Sequence, residues 1–193
     1  MTKFVAVTGG IAVGKTTLGQ ALAERLPGAV FIRENPEQNP FLDDFYADRA
    51  RWAFHSRIGM LDLFERRMEG VLSDAKIVVL DRTVHELTVF ADLQLKKGTM
   101  TQKEYNLYRS VFLTYCQHAP KPDLIVRVTC AREVARERMH KRGRPFERNV
   151  TMEYLEEVEA EYDHWFAGQS WEVVNVRSDE NVDFEGLCRR LEY

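Results

Sequence analysis

A glycine-rich stretch, GGIAVGKTT from Gly9 to Thr17, follows the short apolar run KFVAV from Lys3 and leads into TTLGQALAERL. It fits the pattern G-x-x-x-x-G-K-[ST], with Gly9, Gly14, Lys15 and Thr16 at the fixed places. The pattern constrains the fold strongly, because a strand, an anion-cradling loop and a helix must follow one another without a break. Glycines let the backbone of Gly9, Gly10, Ile11, Ala12, Val13 and Gly14 curl so that its N–H groups point inward and form an anion nest. Lys15 supplies a point charge for β- and γ-phosphates, and the Thr16 hydroxyl can ligate Mg²⁺. With Thr16 and Thr17 a helix opens whose N-terminal partial positive charge adds to the site. A glycine-rich turn with an incidental lysine is the alternative. The strand before the loop and the helix after it favour nucleotide binding.

Four further apolar runs read as strands: AVFI from Ala29, KIVVL from Lys76, DLIVRV from Asp123 and WEVVNV from Trp171. They are short, rich in β-branched residues and mostly unalternated, as parallel strands covered on both faces are. The segments between them are long enough for crossover helices, so an α/β fold with helices on both faces of a mostly parallel sheet is expected. TQKE from Thr101 reads as a capping box. With 193 residues, and no linker or repeat, a single domain spanning 1–193 is expected.

A formal net charge of −3 gives no global argument for nucleic acid or an anionic membrane as partner. The N-terminal apolar run is too short, and too soon broken by glycine, for a signal peptide. The three cysteines are scattered and odd in number, with no metal-ligand spacing, so a cytoplasmic protein without a structural metal is expected.

Ligands of open parallel sheets sit beyond the carboxyl ends of the strands. The second apolar run stops there at Arg33 and Glu34, and the third ends in Asp81 and Arg82. A carboxylate at the end of a core strand is costly unless a partner or a task keeps it there. Arg82 can pair with Glu34 and reach phosphate oxygens, Asp81 is suited to hold Mg²⁺ through water, and Glu34 is placed to activate an acceptor hydroxyl. The stretch RERMHKRGRPFER then sets Arg138 and Arg142 four residues apart on one helix face, and Gly143 and Pro145 free Arg144 on a loop. A basic loop neutralised by the following helix, which carries six acids, is one reading. The other is a lid whose arginines neutralise a transferring phosphoryl group. Loop, carboxylate and lid together describe a small-molecule kinase using ATP and Mg²⁺.

With these parts assembled, the chain resembles the deoxynucleoside kinase family nearly end to end. The likeness shows in GGIAVGKTT, in the Glu34 segment with NPFLDDFY, in RWAF, DRTVHE, GTMTQKEY, KPDLIV and RGRPFE, and in a helix ending YDHWF. The resemblance implies a three-layer P-loop kinase fold, with a five-stranded parallel sheet flanked by helices and an arginine-rich lid. It implies that Glu34 takes the proton from the 5′-hydroxyl of a deoxynucleoside, that Arg82 holds Glu34 and the phosphates, and that Arg138, Arg142 and Arg144 are lid arginines. Tyr46 and Glu147 would hydrogen-bond the sugar 3′-hydroxyl, and VNVRSDENVDF would contact the adenine of ATP. Family members commonly pair through a helical bundle, which the segments from Asp48 to Ser73 and from Val84 to His118 would supply in a homodimer.

The chain departs from the family where the base is read. Arg57 stands where a glutamine is usual, Phe64 stands where a second arginine is usual, and DRTVHELTVFA is one residue short. Glu86 falls near the family's base-facing acid, with Phe90 as a stacking ring. A guanidinium offers donors only. Arg57 therefore either reads a carbonyl-rich base such as guanine, binds an anionic group of the acceptor, or pairs with Glu86 or Asp62. Two other functions fit the phosphate loop: a thymidylate-type nucleoside monophosphate kinase, and a nucleotide-binding regulator that transfers nothing.

Overall fold

The computed structural model describes residues 2–69 and 75–192 of the protein. Among them, β1 (Lys3–Thr8), β2 (Ala29–Ile32), β3 (Ile77–Asp81), β4 (Leu124–Thr129) and β5 (Val173–Arg177) form one parallel sheet in the order β2-β3-β1-β4-β5. The helices are α1 (Lys15–Ala23), α2 (Leu42–Ala47), α3 (Arg49–Met68), α4 (Leu87–Lys96), α5 (Gln102–His118), α6 (Arg132–Arg142), α7 (Met152–Ala167) and α8 (Phe184–Glu192). β1 pairs with β3 on one side and β4 on the other, so the strand order reverses around it and a crevice opens at its carboxyl end.

Alternate side chains of each strand go to opposite layers. Val5, Val7, Ile77 and Val79 pack with Leu18 and Leu22 of α1 and Leu187 and Leu191 of α8. On the other face Ala6 and Ile125 meet Val89 and Leu93 of α4 and Val158 and Tyr162 of α7. Val78 and Leu80 meet Leu61 and Phe64 of α3 and Tyr108 and Phe112 of α5. Both faces are apolar, which is why the strands show no polar alternation.

Four of the five strands lie within a residue of their expected bounds. β5 starts two residues later than expected, because Trp171 leaves the ladder and packs its ring on Trp165 and His85. The capping box forms: Thr101 accepts from the Glu104 backbone N–H at 3.3 Å, and Glu104 accepts from the Thr101 N–H at 2.8 Å. Gly143, at φ 64°, ends α6, and Arg144 follows in extended conformation. The segment expected from Asp48 to Ser73 is α3 up to Met68; its last four residues lie outside the described ones.

Candidate active site

The crevice is a cleft of about 650 Å³ running from the phosphate loop to a ring-lined deep end. Its floor is the loop between β1 and α1. Gly9 adopts φ +135°, and a Cβ there would lie 2.2 Å from the Val128 carbonyl oxygen, so only glycine lets the loop rest on β4. Ala12, at φ 59°, takes the left-handed turn that aims successive N–H groups inward.

Lys15 is buried and donates from Nζ to the Gly10 carbonyl at 2.5 Å. Burial, aided by the charge of Arg82, pulls its ammonium down to about 8 against the opposing carboxylates of Asp81 and Glu34. The Thr16 hydroxyl donates to Asp81 Oδ2 at 2.5 Å. Asp81 Oδ1 is buried and has no hydrogen-bond partner. A hydroxyl and a carboxylate with one open oxygen, both beside the phosphate loop, are a donor set that suits Mg²⁺.

Arg82 joins the ends of three strands. Its Nε donates to Glu34 Oε2 at 2.8 Å, and its Nη1 donates to the Gly9 carbonyl at 3.1 Å and to Glu86 Oε1 at 2.5 Å. The same Nη1 also meets the hydroxyl oxygen of Tyr162, which donates to Glu86 Oε1 at 2.7 Å. Arg82 sits at φ 68°, a backbone conformation that costs a residue with a Cβ about 1–3 kcal/mol. The guanidinium of Arg67 braces it, donating to the carbonyls of Asp81 and Arg82 at 2.7 and 2.9 Å.

Glu34 lines the cleft with 16% of its side chain exposed. Burial alone would raise its carboxyl, but Arg82, Lys15 and Arg67 outweigh burial and hold it below the usual carboxylate range. It is therefore an ionised acceptor beside the phosphate loop. Glu86 lies elsewhere than expected. It is fully buried, is not among the cleft-lining side chains, and serves as a second counter-charge behind Arg82, because a spacing of four across the turn after β3 folds it under that guanidinium. Burial pushes its carboxyl up.

The deep end holds Arg57, only 6% exposed, between the rings of Phe45 and Phe90, each centroid 5.3 Å from the guanidinium carbon. Its Nη2 donates to Ser56 Oγ at 3.1 Å, and its buried Nε has no partner. The expected alternative of pairing with Glu86 or Asp62 does not hold: Glu86 is taken by Arg82, and Asp62 forms an ion pair with Arg66, one turn along an exposed helix face. Phe90 also lies 5.2 Å from the Arg82 guanidinium, so one ring connects the two ends of the cleft.

All three lid arginines line the cleft. Arg138 donates to the Val13 carbonyl at 3.1 Å and to Ser178 Oγ at 2.8 Å, tying the phosphate loop to the turn after β5. Arg142 clamps Glu147 with two donors, and Arg144 meets Glu37 at 3.2 Å and Glu147 at 3.7 Å. The acids of α7 are mostly engaged elsewhere, with Lys96, Lys97 and Arg127, so they do not neutralise these three arginines. Tyr46 lines the cleft and stacks on Phe146, beside Glu147. Ser178 and Val182 from the loop after β5, and Phe184 at the start of α8, reach the cleft wall.

Arg67 and Tyr162 are site residues that sequence reasoning missed, whereas Ser178 falls within the VNVRSDENVDF segment expected at the adenine of ATP. Arg67 acts on backbone groups, which leave no signature in residue type. Tyr162 lies within the recognised YDHWF segment, so its place in the chain was legible and its partner was not.

Comparison with known proteins follows the same line. The family model described as deoxynucleoside kinase matches residues 5–189. The deoxyadenosine/deoxycytidine kinase of Bacillus subtilis (strain 168) is 33% identical over 167 residues, covering 85% of this chain and 76% of that protein. The deoxyadenosine kinase of Dictyostelium discoideum is 30% identical over 189 residues, covering 97% and 77%. The structure of a deoxyadenosine kinase from M. mycoides with bound dCTP superposes with a TM-score of 0.85 at 21% identity, covering 98% of each chain, which shows a shared fold.

Proposed function

Because the chain belongs to the deoxynucleoside kinase family, we propose that it moves the terminal phosphoryl group of ATP to the 5′-hydroxyl of a deoxynucleoside, its one domain working in nucleotide salvage. The observation that carries this reading is Glu34, held ionised by Arg82 on the cleft wall beside the phosphate loop. Glu34 takes the proton of the alcohol as the new O–P bond forms and the bond to the β-phosphate oxygen breaks, giving a 5′-monophosphate and ADP. Lys15 and the inward N–H groups hold the β- and γ-phosphates, and Arg82 orients both Glu34 and a γ-oxygen. Arg142 and Arg144 exchange their contacts with Glu147 and Glu37 for the equatorial oxygens when the lid closes. Glu147, released from one of them, and Tyr46 hold the sugar 3′-hydroxyl. Thr16 and Asp81 would hold Mg²⁺, which would supply charge neutralisation for the phosphates.

The same reading makes the protein a cytoplasmic homodimer with a small-molecule substrate and neither nucleic acid nor membrane as partner. Among the described residues no helix is long and apolar enough to cross a membrane. A thymidylate-type kinase is disfavoured by Glu34, since an anionic acceptor needs no base and would be repelled by a carboxylate. A regulator that transfers nothing gives no use to a paired ionised acid at that place.

The test is ADP release from ATP against deoxynucleosides and their 5′-monophosphates. Release that depends on a nucleoside and not on its monophosphate supports the assignment. Equal or better use of monophosphates, or no acceptor-dependent release, contradicts it.

A further inference from the structure

The deep end of the cleft carries one cationic head group, the Arg57 guanidinium, flanked by the Phe45 and Phe90 rings and walled by Leu42, Met60, Leu87 and Tyr154. A buried cation without a counter-charge is costly, and among the described residues no carboxylate lies within ion-pair distance of Arg57. Ring faces and the Ser56 hydroxyl offset part of that cost, yet the buried Nε still has no partner. Whatever fills this end must bring hydrogen-bond acceptors.

The three carboxylates of the cleft are engaged elsewhere: Glu34 with Arg82, Asp81 with Thr16, and Glu147 with Arg142. Among the described residues no carboxamide lines the cleft, and its carboxylates stand with Arg82, Thr16 and Arg142 rather than with Arg57. An anion there would lose its hydration for one guanidinium amid apolar walls. A flat neutral base stacks on those walls and needs only one polar edge satisfied. Arginine matches two adjacent acceptors best. The O6 and N7 pair of a 6-oxopurine presents them on a two-ring base that covers both flanking rings, cytosine presents O2 and N3 on a single ring, and adenine offers an amino donor in place of O6.

We propose that Arg57 is the base-selecting residue of this enzyme and that its preferred acceptor is a 6-oxopurine deoxynucleoside, the guanidinium donating to O6 and N7. The inference rests on the deoxynucleoside kinase reading above. It gives a reason for the departure from the glutamine usual at this position: an amide can accept a hydrogen bond from an amino group, whereas a guanidinium cannot.

Base analogues test it on the unaltered protein. Relative kcat/KM is measured for deoxyguanosine, deoxyinosine, 7-deazadeoxyguanosine and deoxyadenosine, with the matching monophosphates alongside. Deoxyguanosine and deoxyinosine are expected within a few-fold of each other. Deoxyadenosine is expected about 10- to 100-fold lower, and 7-deazadeoxyguanosine, which lacks only the N7 acceptor, about 10-fold lower. Arg57→Gln is expected to invert the ratio of deoxyguanosine to deoxyadenosine, and Arg57→Met to remove the preference.

Robust use of deoxyadenosine, or full use of the 7-deaza analogue, overturns the role of Arg57 and leaves the kinase reading standing. A monophosphate preferred over its nucleoside in an Arg57-dependent way overturns it in favour of an anion site. A uniform loss across all bases in both variants, with the wild type unselective, assigns Arg57 to packing and overturns it too. Absence of ADP release with every nucleoside fails the underlying reading, a result distinct from all of these.

Discussion

Lys15 shows how strongly a single residue's setting governs its chemistry here. Its ammonium is buried among opposing charges, and burial brings it down to about 8, where an ordinary lysine would hold its proton to far higher pH. The ligand-free protein therefore loses this charge as pH rises through about 8, while bound triphosphate favours the protonated form. ATP binding then takes up a proton, and affinity should fall by up to about tenfold per pH unit above that value. Titration of ATP between about pH 7 and pH 9.5 checks this, and Lys15→Arg, which stays charged, should flatten the curve. A flat curve in the wild type would contradict the account. Glu34 has the opposite sign. Its carboxyl is held low, so the proposed base is lost only as pH falls below the usual carboxylate range.

At the scale of elements, α3 serves both ends of the cleft. It presents Arg57 to the deep end, and about three turns later it presents Arg67, which fastens the strained turn after β3. Arg67 touches no reacting atom in this arrangement. It acts through the backbone of Asp81 and Arg82 and through its charge on Glu34. Arg67→Met should lower kcat by about 10- to 100-fold with a smaller change in the KM for ATP. It should also move the acid limb of the pH–rate profile upward, because one of the charges holding Glu34 down is gone. A fall in rate with an unmoved acid limb would make Arg67 a packing residue only.

This element also marks where the sequence is legible. The strand, loop and helix around Lys15 could be read because each residue type there has one physical use, and the sheet could be read because both its faces are covered. Glu34 and Arg82 could be paired because both end strands at the same sheet edge. The Arg67 brace could not be read, since carbonyl partners are common to all residues. Glu86 was misplaced because order along the chain does not show which side of Arg82 the turn buries.

For the whole molecule, the outer surface bears on assembly. Leu107 and Leu113 on α5 are 55% and 49% exposed, within one of the two segments expected to pair copies of the chain. Sedimentation should give twice the monomer mass, and Leu107→Glu combined with Leu113→Glu should return the monomer. A wild type that sediments as a monomer would remove pairing from the account. Inside, the fold brings the ends of β1, β2 and β3 and the lid to a single cleft, where the proposed chemistry sets an ionised acid against an alcohol beside the terminal phosphate of ATP. The most direct test of that convergence compares wild type with Glu34→Gln for ATP affinity and for nucleoside-dependent ADP release. The expected result is ATP affinity unchanged within a few-fold and turnover reduced by about 10²- to 10⁴-fold. Turnover equal to wild type in the variant would contradict the account.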